Sequence, residues 1–161
     1  LSENGNLTEG NDPMIRPATG ADASRIAEIL IFSKRTNYRK IFCNDQVSFG
    51  EMQVYPLAQN YIDHPDALHG IWVYADEFVK GMIHIAGNEI EELYIDPFFA
   101  GQGIGSALIE FAIEQKDCDR LWVLEKNTKA IRFYQKHGFS FTSEKQLQDG
   151  TPEFIVKMQR E

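Results

Sequence analysis

The chain has 161 residues, with 16 Lys and Arg against 24 Asp and Glu, and a formal net charge of −8 at pH 7. That length suits one domain able to bury a real core. The acidic balance excludes a general phosphate-backbone binder, so nucleic acid is not an expected partner. Hydrophobic residues make up 43% and charged residues 25%, an ordinary globular balance. No apolar run approaches the roughly 20 residues of a membrane helix, and no basic-then-apolar leader opens the chain. Cys43 and Cys118 have no C-x-x-C spacing. They read as two reduced, half-buried thiols in a cytoplasmic protein.

Residues 1–13 are polar and aperiodic, and read as a flexible tail or a cloning remnant. A short strand is expected at 14–16, stopped by Pro17. Ile26, Ile29 and Leu30 predict a helix over 21–32. Residues 33–48 read as irregular. A second helix is expected over 50–61, with a break or kink at Pro56. Three strands follow at 70–75, 78–86 and 89–95, separated by turns at Asp76-Glu77 and Gly87-Asn88. A glycine-rich segment, 101–105, leads into a helix over 106–115. The unbroken apolar run 121–124 predicts a buried strand. A helix over 128–137 ends at Gly138, and closing strands at 139–144 and 153–158 flank a turn at Asp149-Gly150. The order gives an α/β (α+β) fold with a mixed, partly parallel sheet.

Gly101-Gln102-Gly103-Ile104-Gly105 stands between a strand and a helix. Glycines there let backbone N–H groups approach a ligand, and the helix N-terminus adds partial positive charge. Together they suit a phosphate or pyrophosphate. The spacing is not the dinucleotide fingerprint, whose third glycine falls one residue later. It is not the Lys-bearing nucleotide loop either, because no Lys follows Gly105. None of His64, His69, His84 and His137 has metal-ligand spacing, so no metal is expected.

The run from Leu93 to Leu108, through Tyr94-Ile95-Asp96-Pro97 and the glycine loop, resembles the acetyl-CoA-binding motif of the GNAT N-acetyltransferase superfamily. Leu121-Trp122-Val123-Leu124-Glu125-Lys126-Asn127, followed by the run from Ala130 to Phe139, is similar to the family's next motif. Met14-Ile15-Arg16-Pro17-Ala18 with Asp22 resembles its opening strand and helix entry. The resemblance covers residues 14 to about 158. It implies a single GNAT-like domain over 14–161, with about six or seven strands and about four helices. One position departs: Ala100 stands where the family carries Arg or Gln, which should modify cofactor affinity rather than abolish it.

The implied reaction moves an acetyl group from acetyl-CoA to a primary amine of a small molecule or protein, by direct attack in a ternary complex. The resemblance places Tyr94, Ile95, Gly101, Gln102, Gly103, Ile104, Gly105, Ser106, Asn127, Ala130 and Phe133 against acetyl-CoA. Tyr134 lies about two helical turns beyond Asn127, on nearly the same face, and is expected to protonate the departing thiolate. Glu89, Glu91 and Glu92 lie on the strand before the loop. Strand alternation puts Glu89 and Glu91 on one face and Glu92 on the other, unless a bulge shifts the parity. Glu89 falls where the histone-acetylating branch carries its base. Glu91 falls where some aminoglycoside-acetylating members hold the substrate amine. Glu91 is ranked just ahead of Glu89 as the base. Lys129, Arg132 and Lys136 share a helix face suited to the cofactor's phosphates. Tyr38, Phe42, Phe49, Tyr55 and Tyr61 are candidates for an acceptor pocket. The charge pattern suggests a negative acceptor side, made by Glu89, Glu91, Glu92 and Asp96. A homodimer is compatible with the resemblance. The alternative expectation is a non-catalytic acyl-CoA-binding regulatory module.

Overall fold

The computed structural model describes residues 14–161, so the expected tail over 1–13 lies outside the described residues. These residues form seven strands in one mixed sheet and four α-helices. In chain order they are β1 (Ile15–Pro17), α1 (Ala23–Phe42), α2 (Val54–Asp63), β2 (Ile71–Ala75), β3 (Val79–Ala86), β4 (Glu89–Ile95), α3 (Ile104–Lys116), β5 (Arg120–Leu124), α4 (Thr128–Lys136), β6 (Ser140–Leu147) and β7 (Phe154–Gln159). The sheet order is β1-β2-β3-β4-β5-β7-β6. All neighbours are antiparallel except β4 and β5.

Two helix expectations need correction. The first helix does not stop at residue 32 but continues to Phe42, so the segment expected to be irregular is largely helical. Its second half presents Ser33, Lys34, Asn37 and Tyr38 to a cleft rather than a core, which breaks the apolar periodicity without breaking the helix. A left-handed Cys43, φ 52°, ends it. The next helix does not begin at residue 50. A π-helical turn, Gln46–Glu51, comes first, fastened to α1 by Arg35, which donates to the Ser48 and Met52 carbonyls at 2.8 Å each. Pro56 then falls in the first turn of α2, where its missing N–H costs nothing, and there is no break.

Helices cover both sheet faces. Ile26, Ile29 and Leu30 of α1 and Tyr61 of α2 pack with Val73, Met82 and Tyr94. Ile104, Leu108 and Ile109 of α3 and Ile131 of α4 pack with Ile83, Ile90, Leu121 and Met158. A Cβ at Gly81 would stand 2.9 Å from Ile95 Cδ1 and 3.1 Å from Ile104 Cγ2, so this glycine lets α3 close onto β3. Gly81→Ala is expected to lower stability by about 1–2 kcal/mol through overpacking, read as a lower urea midpoint at unchanged slope.

The entry to α1 is held by Arg16, which donates to both oxygens of buried Asp22 at 2.7 and 2.9 Å, while the Thr19 N–H donates at 2.9 Å. The Arg16 hydrogen bonds hold the Asp22 carboxyl below its ordinary value, against the opposing effect of burial. A carboxyl depressed in the folded state stabilises the fold above its unfolded pKa. That contribution is lost as pH falls through the folded value. The urea midpoint should therefore drop below about pH 4, and Asp22→Asn should flatten that drop while lowering the midpoint at neutral pH.

Candidate functional site

The one parallel pairing places the site. β4 and β5 pair only at Glu89–Arg120 and Ile90–Leu121. Beyond those pairs β4 runs to Ile95 and β5 to Leu124 with no ladder between them. The sheet therefore divides there and opens a cleft of about 1020 Å³. Its walls are β4, β5, the first turns of α3 and α4, and the second half of α1.

At one end lies the glycine loop. Gly101 and Gly103 have φ of 78° and 80°, in the left-handed region, and a Cβ on either would meet nothing within 4 Å. The loop therefore leaves open space above it. Gly103 is the N-cap of α3. The N–H groups of Ile104, Gly105 and Ser106 have no carbonyl within the helix to bond. That is a fit for an anionic pyrophosphate. The Ser106 hydroxyl is 3.2 Å from His137 Nε2, tying α3 to the end of α4. Asp96 sets the approach. Its carboxylate accepts from Arg25 at 2.8 Å and from the Phe98 N–H at 2.9 Å. Asp96 therefore belongs to a buried anchor and not to the expected acceptor charge.

Tyr134, Asn127, Ala130 and Phe133 line the opposite wall. The Asn127 side-chain oxygen caps α4 by accepting from the Ala130 N–H at 3.4 Å. Tyr134 packs beside Phe133 and Phe139. Burial first, and Tyr38 second, push its phenol up, so it holds its proton throughout the neutral range. Tyr38 and Tyr94 share a hydrogen bond of 3.0 Å between their hydroxyls.

The acidic strand departs from simple alternation. His84 faces Glu92 across the β3–β4 ladder, and Ile85 faces Ile90, so Glu91 is an extra residue in a bulge. Ile90 consequently packs under α3 and Tyr94 under α1, although strict alternation would put them on one face. The expected opposition of Glu91 and Glu92 is overturned for the same reason. Both carboxylates converge on His84 Nδ1, at 3.3 Å for Glu91 and 3.8 Å for Glu92. Lys34 of α1 reaches across to Glu92 Oε2 at 3.4 Å. That oxygen has no hydrogen-bond partner among the described residues. Burial opposes the Glu92 charge, but His84 and Lys34 outweigh it and hold its carboxyl below the usual range. Glu92, in turn, raises His84 above its ordinary value against the pull of burial.

Most of the expected site residues meet in this cleft, with two exceptions. Glu89 sits where β4 and β5 still pair, and Gln102 sits on the exposed side of the loop. Neither lines the cleft. Lys129 lines it, whereas Lys126 pairs with Glu153 at 2.9 Å. Of the acceptor-side aromatics, Tyr38 and Phe42 reach the cleft, Tyr61 is core, and Tyr55 is 76% exposed. Cys43 is exposed and Cys118 buried, both unpaired. No candidate metal-holding group occurs among the described residues, and none of their helices is long and apolar enough to cross a membrane. The placing of Glu92 is hidden in the sequence because a bulge has no local signature. The spacing of Lys34 and Tyr38, one helical turn apart, was the available signal for the α1 wall.

Comparison with known proteins gives the same picture. Residues 67–141 match the acetyltransferase (GNAT) domain family model. The peptidyl-lysine N-acetyltransferase YjaB of Salmonella typhimurium is 38% identical over 69 residues, 43% of this chain and 48% of that protein. A spermine/spermidine N(1)-acetyltransferase of Bacillus subtilis is 36% identical over 61 residues, 34% of this chain and 40% of that protein. The chain spans about half the length of the curated relatives it matches. Its fold is that of apo YjaB from Escherichia coli, with a TM-score of 0.66 at 23% identity over 90% of this chain and 95% of that one. It is also that of the PaiA N-acetyltransferase of Thermoplasma acidophilum, solved in complex with coenzyme A, with a TM-score of 0.65 at 24% identity over 90% and 97%. Residues 67–141 therefore resemble an acetyltransferase (GNAT) domain, and the chain shares the fold of these two acetyltransferase structures.

Proposed function

We propose that the chain is an N-acetyltransferase that moves an acetyl group from acetyl-CoA to a primary amine, by direct attack with both substrates bound. The observation that carries this reading is one continuous cleft. It has a glycine-loop helix N-terminus at one end, and Tyr134 and the Glu91–Glu92 pair along its walls. Acetyl-CoA, when bound, supplies the thioester. The amides of Ile104, Gly105 and Ser106 hold the pyrophosphate, and the unpaired stretches of β4 and β5 offer backbone N–H and C=O groups to the pantetheine arm. Tyr94 and Ile95 supply that edge on the β4 side. Tyr134 holds a proton for the sulfur. Glu91 lines the cleft and is 44% exposed, so it receives the amine proton in contact with solvent. Glu89, outside the cleft, takes no part in this scheme.

The acceptor is a small-molecule or protein amine. Relatives named for lysine and spermine amines support that class. A second reading, a non-catalytic acyl-CoA-binding module, draws on Ala100, which brings no long polar side chain to the cleft. A free-thiol assay with acetyl-CoA and a panel of polyamines, aminoglycosides, lysine peptides and N-terminal peptides separates the two. The enzyme reading expects amine-dependent thiol release with at least one class. Saturable CoA binding without release from any of them supports the module.

A further inference from the structure

Lys34 is the lysine that the fold turns inward. Nine lysines occur in the chain. Only Lys34 and Lys129 line the cleft among the described residues. Lys129 belongs to the first turn of α4, the wall assigned to the acyl donor. Lys34 comes from α1, the acceptor wall, and its side chain is 30% exposed. Its Nζ lies 3.4 Å from Glu92 Oε2, the carboxylate oxygen that no hydrogen bond satisfies. One helical turn further along α1, Tyr38 reaches Tyr94 at 3.0 Å and also acts on the ionisation of Tyr134. A primary amine of the chain itself thus occupies the acceptor side, beside a carboxylate, in the cleft that Tyr134 also lines.

We propose that Lys34 is an internal acetyl acceptor, so that the protein acetylates its own Lys34 Nζ when no external amine fills the cleft. This rests on the acetyltransferase reading above. The Lys34 ammonium first gives a proton to Glu92. The nitrogen lone pair then forms the C–N bond to the acetyl carbon, the C–S bond breaks, and sulfur leaves with the bonding pair. Of the two protons the ammonium loses, one passes through Glu92 to solvent. The other ends on sulfur, with Tyr134 as its carrier. The products are Nε-acetyl-Lys34, free CoA and one proton. Acetylation removes the cation that balances Glu92 and leaves the cleft more negative.

The test is incubation of the full chain with acetyl-CoA and no added amine, followed by intact-mass and peptide mapping. The expected result is one acetyl group at Lys34, acquired at least about ten times faster than at any other lysine. The first-order rate should be independent of protein concentration, as for transfer within one molecule. Lys34→Arg keeps the ion pair and should abolish the single addition, and Tyr134→Phe should slow it. Acetylation led by exposed lysines such as Lys126, or by Lys129, overturns the proposal, as does a rate that rises with protein concentration. Thiol release with an external amine while Lys34 stays unmodified overturns this inference alone. No thiol release with any amine, and no modification, overturns the acetyltransferase reading beneath it.

Discussion

Replacing Tyr134 with Phe is expected to lower kcat about 100-fold and to leave the KM for acetyl-CoA within about twofold. The phenol lies in the cleft wall against Phe133 and Phe139, and desolvation pushes it up from its ordinary value of 10. A phenol so placed stays protonated at working pH. It would be a poor proton donor to a solvated thiolate whose conjugate thiol has a pKa near 8.5. The leaving sulfur shares the same desolvated cleft, however, and its own proton affinity rises there for the same reason. The hydrogen bond strengthens as negative charge grows on sulfur, so it acts in the transition state and not in ground-state binding. Loss of only the hydroxyl should therefore appear in kcat. An equal kcat for Tyr134→Phe across pH 6–9 would remove Tyr134 from the reaction.

Asp96→Ala joins stability to binding. The buried carboxylate holds Arg25 of α1 and the Phe98 N–H in the turn just before the glycine loop. Its removal leaves that N–H without its acceptor and deprives Arg25 of one partner. Arg25 keeps Glu28 and the Val79 carbonyl, which limits the damage. The expected loss is about 2–3 kcal/mol of stability, measured by urea unfolding. The loop that Asp96 positions should bind CoA several-fold more weakly, measured by titration calorimetry at a temperature where the variant is folded. Asp96→Asn keeps an acceptor for the Phe98 N–H and should recover part of both losses. Unchanged CoA affinity in a destabilised Asp96→Ala protein would show that the anchor serves the fold alone.

The sequence was most legible where periodicity and turn chemistry agreed. β4 was placed at its observed bounds, and Gly138, φ 90°, follows α4 as expected. The glycine loop was read correctly as a strand-to-helix junction, although α3 begins at Ile104, two residues earlier than expected. Legibility failed where residues face the cleft. The second half of α1 hid behind Ser33, Lys34 and Asn37, whose polarity serves a cleft wall and not a core. The start of α2 was hidden by Pro56, whose effect depends on which turn it occupies. The β4 bulge hid the placing of the acids, because one inserted residue rotates every side chain beyond it. The division of β4 from β5 left no local trace. Both strands read as ordinary apolar runs, and only the register shows that two residue pairs hold them together.

In the proposed reaction this cleft brings acetyl-CoA and an amine together for direct transfer. Initial rates of thiol release, measured over a matrix of acetyl-CoA and acceptor concentrations, test it most directly. Direct transfer should give double-reciprocal lines that intersect, with one acetylated amine formed per thiol released. Parallel lines, which signal an acetylated enzyme intermediate on the path, or thiol release beyond one equivalent per chain that does not depend on the amine, would contradict it.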